Sequence, residues 1–288
     1  MKKILTAFLV VLLAFSAASA QDKLKVFISV DMEGLTGISH WNECSRTGKD
    51  YDMFRRIMTN ETNAAVEGAL AAGATEVIVR DSHGSARNIL PLLLNKEAKL
   101  IRNWSGDFKM MMDGIDETFD AVIFVGYHAK AGTPDASLEH TMSGTVMDVS
   151  VNGVSLPEAG INALMAGNYN VPVVCVAGDK ALCEQVKDLF GEVETVAVKE
   201  GIGGATLGVH PEVACDMIRA GVERSLRNLD RYEPYKLNAP FTMKLVLKEE
   251  TLVYEGQFYP GAERTGDWEL TYRSRDIMEI VKAFVWMR

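Results

Sequence analysis

Apolar residues along this chain gather in short runs. Four of them, at 26–30, 76–80, 121–125 and 171–177, are rich in β-branched and aromatic residues and are bounded by polar residues or glycine. Runs of that length and composition predict strands buried on both faces. Between the first two, residues 51–72 are dense in Ala, Met and Glu and are followed by Gly73, where a helix commonly closes on a left-handed glycine. Strand, helix and strand in that order make a βαβ unit. A second helical stretch at about 158–165 precedes the fourth run, so the alternation continues and predicts a mainly parallel sheet.

Beyond Val198 the pattern changes. Gly201, Ile202, Gly203 and Gly204 form a glycine-rich stretch, followed by a helix near 213–228, a strand near 242–248 and a last helix from Asp276. The expected organisation is α/β, with a three-layer Rossmann-like domain at 21–192, built on a mainly parallel sheet, and a smaller α+β domain at 193–288. The glycine stretch has no Gly-Lys-Ser/Thr ending and opens no strand-to-helix turn. It therefore reads as a flexible surface loop and not as a phosphate cradle.

Residues 1–20 follow a different logic: Lys2 and Lys3, an apolar run at 4–15, then Ser16-Ala17-Ala18-Ser19-Ala20. This is the layout of a secretory signal peptide cleaved after Ala20, with an apolar run too short to span a bilayer comfortably. The expected mature chain is exported, periplasmic or secreted, and has no membrane partner once the leader is gone. Losing two lysines moves the formal charge from −9 to −11, which argues against a nucleic-acid partner. Small neutral or cationic ligands fit that balance better. Of the four cysteines, Cys44, Cys175, Cys183 and Cys215, the second lies inside an apolar run where it behaves as a small hydrophobe, which argues against disulfide pairing. No Cys-x-x-Cys is present to suggest a thiolate zinc site.

Chemistry collects just after the strands. The first runs into Asp31-Met32-Glu33-Gly34, the second into Asp81-Ser82-His83-Gly84, the third into Gly126-Tyr127-His128-Ala129. Ligands of open parallel sheets bind beyond the carboxyl ends of the strands, so the three clusters are expected at one edge. Asp31 and Glu33, two apart, face the same way on a continuing strand, and mixed carboxylate and imidazole donors suit zinc. A carboxylate between two ions would form the clamp of a dinuclear hydrolase, with Asp31 the bridging candidate. Asp81 reads either as a carboxylate supporting His83 or as a turn former. Glu158 is ambiguous, because Ser155-Leu156-Pro157-Glu158 also matches a capping box. His140 reads as an acid, base or oxyanion stabiliser, or equally as an ordinary surface histidine. His40 and His210 read as structural.

Taken in order, Ser29-Val30-Asp31-Met32-Glu33-Gly34, Asp81-Ser82-His83-Gly84, Gly126-Tyr127-His128-Ala129, His140-Thr141-Met142 and Glu158-Ala159-Gly160-Ile161-Asn162-Ala163 resemble the zinc D-aminopeptidases of the dipeptide-transport (DppA-like) type. The resemblance covers most of the chain from Lys25 to the last helix. It implies two zinc ions per subunit, with Asp31 bridging, Glu33 and His83 completing one shell, and His128 and Glu158 the other. It also implies a catalytic role for His140, a short-peptide substrate with an N-terminal D-amino acid such as a D-alanyl peptide, and a homo-oligomer, a decamer of stacked pentamers. Two other readings stay open at this point: a metal-dependent peptide-binding protein without turnover, and a dinuclear amidohydrolase of other specificity.

Overall fold

The computed structural model describes residues 23–288, so the leader expected at 1–20 lies outside the described residues. The strands are β1 (Leu24–Val30), β2 (Ala74–Asp81), β3 (Ala98–Ile101), β4 (Ala121–Tyr127), β5 (Val146–Val151), β6 (Val154–Ser155), β7 (Val173–Asp179), β8 (Glu194–Ile202), β9 (Ala205–Gly208), β10 (Phe241–Leu247), β11 (Glu263–Arg264) and β12 (Glu269–Ser274). The helices are α1 (Trp41–Cys44), α2 (Tyr51–Ala71), α3 (Glu158–Asn168), α4 (Lys180–Phe190), α5 (Pro211–Leu226), α6 (Glu250–Gly256) and α7 (Ile277–Met287). None of them is long and apolar enough to cross a membrane.

The expected mixed α/β architecture is present. A seven-stranded sheet runs in the order β3-β2-β1-β4-β7-β8-β9, parallel except for β9 at the edge. A five-stranded antiparallel sheet runs β11-β12-β10-β5-β6. Alternation along β1 shows how the layers form. Val26, Ile28 and Val30 join an apolar cluster with α2 and α5, while Phe27 points to the opposite side, where α3, α4, α7 and the small sheet pack. That second cluster runs without a break from Phe27, Val122 and Phe124 of the large sheet to Met243 and Leu245 of the small one.

The two sheets do not divide the chain at residue 193. β8 and β9 lie beyond that point yet complete the large sheet, and β5 and β6 lie before it yet build the small one. The physical reason is pairing. Val196 and Val198 are buried, and β8 hydrogen-bonds in parallel to β7, while β5 finds its antiparallel partner β10 some ninety residues downstream. The glycine stretch is not a free loop either. Gly201 and Ile202 end β8, and Gly203, at φ +56°, turns the chain into β9.

Connections from β1 go to β2 on one side, and the chain returns through β4 on the other. The carboxyl end of β1 is thus the switch point where open α/β sheets hold their ligands.

Candidate metal centre

Register brings the donors together. Val30 pairs with Asp81 of β2 and with Val125 of β4, so the residues that follow all three strands share one edge. Main-chain bonds continue past the strand ends: Asp31 N–H donates to Val125 O at 2.8 Å, Ser82 N–H to Val30 O at 2.8 Å, and Gly34 N–H to Gly126 O at 2.8 Å. Two glycines permit this close approach. A Cβ on Gly34 would lie 1.7 Å from Tyr127 O, and one on Gly126, whose φ is +71°, would lie 2.2 Å from Asp31 O.

Asp31, Glu33, His128 and Glu158 are buried, and His83 is nearly so. Asp31 turns its two oxygens to different histidines: Oδ1 lies 3.2 Å from His83 Nδ1, and Oδ2 lies 3.4 Å from His128 Nε2. Glu33 Oε2 stands 3.0 Å from His83 Nδ1, and Glu158 Oε1 stands 3.4 Å from His128 Nε2 and 3.5 Å from His140 Nε2. Two donor clusters result, Asp31–Glu33–His83 and His128–His140–Glu158, with Asp31 reaching from the first to the second.

Each histidine is oriented by its other ring nitrogen. His83 Nε2–H donates to Cys44 O at 3.0 Å, His128 Nδ1–H to Ala129 O at 3.0 Å, and His140 Nδ1–H to Leu138 O at 2.9 Å. The facing nitrogens are thereby left with a lone pair toward the carboxylates, the arrangement of imidazoles that ligate metal. His140 stacks on His128 with ring centroids 4.1 Å apart and meets Trp41 edge-on at 5.2 Å.

These residues fit zinc. Two donors each roughly 2.0–2.1 Å from a tetrahedral ion lie about 3.3 Å from one another, in the range of the carboxylate–imidazole separations here. His128 Nε2 is buried with no hydrogen-bond partner, an orphan that a cation would satisfy. Three buried carboxylates also need positive charge. In the metal-free protein, burial opposes ionisation of Glu33, yet the adjacent His83 imidazole holds that carboxyl well below the usual range. Burial likewise disfavours charge on His83 and His128, but the facing carboxylates, Glu33 and Asp31 for one and Glu158 and Asp31 for the other, raise both well above the ordinary histidine value. Cysteine takes no part. All four are free, and burial pushes every thiol up, so no thiolate is on offer.

All six residues singled out in the sequence therefore converge. Glu158 opens α3 without capping it. Its Oε1 accepts from Met142 N–H at 2.6 Å, and Ser155 Oγ donates to Asp148 instead, so no capping box forms. Asp81 resolves as the turn former. Its carboxylate accepts from Asn88 N–H (2.6 Å), Ile89 N–H (2.8 Å) and Asn88 Nδ2 (2.7 Å), clamping the 82–89 loop that carries His83. His40 and His210 cap α1 and α5 through Nδ1.

Four further features support the site. Lys199 of β8 donates to the carbonyls of Glu33 and Ile38, fixing the Asp31–Glu33 turn from 166 residues away. Asp179 caps α4 with Oδ1 and accepts from Ala129 N–H with Oδ2, steadying the segment after His128. The segment before His140 is held by the β8–β9 hairpin, where Gly203 N–H donates to Asp135 Oδ1 at 2.9 Å. Below the site, Ser29, Ser82, Tyr127 and Asn162 share one buried hydrogen-bond network. The donors open into a cavity of about 580 Å³ walled by Trp41, Trp104, Met110, Met111, Met142 and Arg288.

A family model described as D-aminopeptidase matches residues 24–286. The chain belongs to this family. A D-aminopeptidase of Bacillus subtilis (strain 168) is 33% identical over 268 residues, covering 92% of this chain and 96% of the relative. Among solved structures, one described as the Zn-dependent D-aminopeptidase DppA from Bacillus subtilis, a self-compartmentalizing protease, superposes with a TM-score of 0.88. Its identity is 31%, and the match covers 92% of this chain and 96% of that one. The D-aminopeptidase match spans every donor residue, both sheets and all but the last residue of α7.

Proposed function

We propose that this chain is an exported dinuclear zinc aminopeptidase that removes an N-terminal D-amino acid from short peptides, D-alanyl peptides included. The observation that carries the reading is Asp31, whose two oxygens face the donors of two separate clusters, as a bridging carboxylate must. Zinc held here would supply Lewis acidity toward the scissile carbonyl and lower the pKa of coordinated water from 15.7 to about 7.

The chain's own residues do the rest. Glu33 stays ionised, and Lys199 fixes the main chain beneath it. Trp41 and His128 hold the His140 ring from two sides, so the Nε2 lone pair faces the cavity, where it can take a proton from the attacking water and pass it to the leaving amine. Trp104, Met111 and Met142 wall the cavity with apolar surface that limits water around the reacting bond. The export reading rests on residues 1–20, and the oligomeric reading, a decamer of stacked pentamers, draws on the self-compartmentalizing relative.

The test is turnover. Zinc-loaded protein incubated with D-Ala-D-Ala is expected to release free D-alanine, to act far more slowly on L-Ala-L-Ala, and to stop on chelation. Binding of D-Ala-D-Ala without product, or hydrolysis untouched by a chelator, would contradict the reading.

A further inference from the structure

Arg288 brings a cation into a cavity otherwise lined by carboxylates, imidazoles, two serines, glycines and apolar side chains. It follows directly on α7, whose buried Ile280, Phe284 and Met287 pack into the apolar cluster beside α3, the helix that begins at Glu158. Its guanidinium lies 5.7 Å from the Phe284 ring, and Nη2 reaches only the thioether of Met110 at 3.2 Å, a weak acceptor. Nε is buried with no hydrogen-bond partner. Glu158 is the one carboxylate whose field reaches it, and no ion pair joins the two among the described residues. A guanidinium has five donors, and this half-buried one has a thioether contact and no anion among the described residues, so it is free to take one.

The substrate can supply it. Resting on the aminopeptidase reading, the amino end and scissile carbonyl lie at the metal donors, and in a dipeptide the terminal carboxylate follows one residue later, about 3.8 Å between Cα atoms. A cavity of about 580 Å³ suits a ligand of that size. The forked geometry of arginine matches a carboxylate bidentately. We propose that Arg288 binds the C-terminal carboxylate of the substrate, which makes the site selective for free-acid dipeptides and other very short peptides. The donors at one end and the guanidinium at the other then measure substrate length.

The experiment compares D-Ala-D-Ala with D-alanyl-D-alaninamide, which differs only in the carboxylate, in zinc-loaded wild type, Arg288→Gln and Arg288→Lys. Loss of a charge-assisted pair predicts that wild type favours the free acid by roughly 10- to 100-fold in kcat/KM and that Arg288→Gln brings this ratio close to one, chiefly through KM. Arg288→Lys is expected to fall between them. Equal zinc content in the three proteins shows that the metal centre is intact. A wild type that cleaves both peptides equally well overturns carboxylate recognition and leaves the aminopeptidase reading standing, as does an Arg288→Gln protein that slows on both to the same extent. A wild type that cleaves neither overturns both.

Discussion

Burial sets the ionisation of Glu61, which packs behind the segment that follows Asp31 and Glu33. Oε1 accepts from Thr36 N–H at 3.0 Å, Oε2 has no partner, and burial pushes the carboxyl from 4.5 up to about 8 despite Lys199 nearby. The folded protein thus keeps a proton that the unfolded chain releases above the ordinary carboxylate value. Stability should fall as pH rises from about 4.5 to about 8 and level off beyond it, by at most about 5 kcal/mol at 1.36 kcal/mol per pKa unit. Glu61→Gln keeps the acceptor for Thr36 and cannot ionise. In thermal unfolding of metal-free protein, the variant should match wild type near pH 5 and exceed it at pH 9. Parallel curves at the two pH values would refute a proton held at Glu61. Periodicity does not single out this residue, because a glutamate inside an Ala-rich helix looks like an ordinary exposed helix former until packing buries it.

At the scale of elements, what was legible followed from strands buried on both faces. Asp31, Glu33, His83 and His128 could be placed at one edge because each stands just past an apolar run, and parallel pairing aligns those ends. Glu158 was not legible in that way. It lies on a helix that starts beyond a different sheet, and its local pattern imitates a cap that the structure does not form. The sheet partition was missed for a related reason: β5 and β10 satisfy their hydrogen bonds across a long separation that no local period encodes. Lys199 and Arg288 likewise reach the site only through tertiary packing, whereas Asp179 stands at the carboxyl end of β7, just past the fourth apolar run. The loop that carries His83 provides an element-level test. Asp81→Ala removes the acceptor of three buried hydrogen bonds and should cost about 2–4 kcal/mol in denaturant unfolding. By freeing His83, it should also weaken zinc binding by roughly 10- to 100-fold in chelator competition. A variant as stable and as zinc-avid as wild type would show that the clamp does not position that ligand.

For the whole molecule, both donor clusters, His140 and the arginine meet beyond the edge of the large sheet, and the continuous apolar cluster between the sheets holds α3 and α7 so that Glu158 and Arg288 share a cavity. The position of Asp31 between the two donor clusters is the feature on which the proposed function depends. Its most direct test is zinc stoichiometry, measured by elemental analysis of purified wild type and of Asp31→Ala. Because Asp31 faces both clusters, wild type should hold two zinc ions per chain, and the variant should lose at least one of them together with D-Ala-D-Ala hydrolysis. A wild type that binds a single zinc, or an Asp31→Ala protein that keeps both ions and full activity, would contradict it.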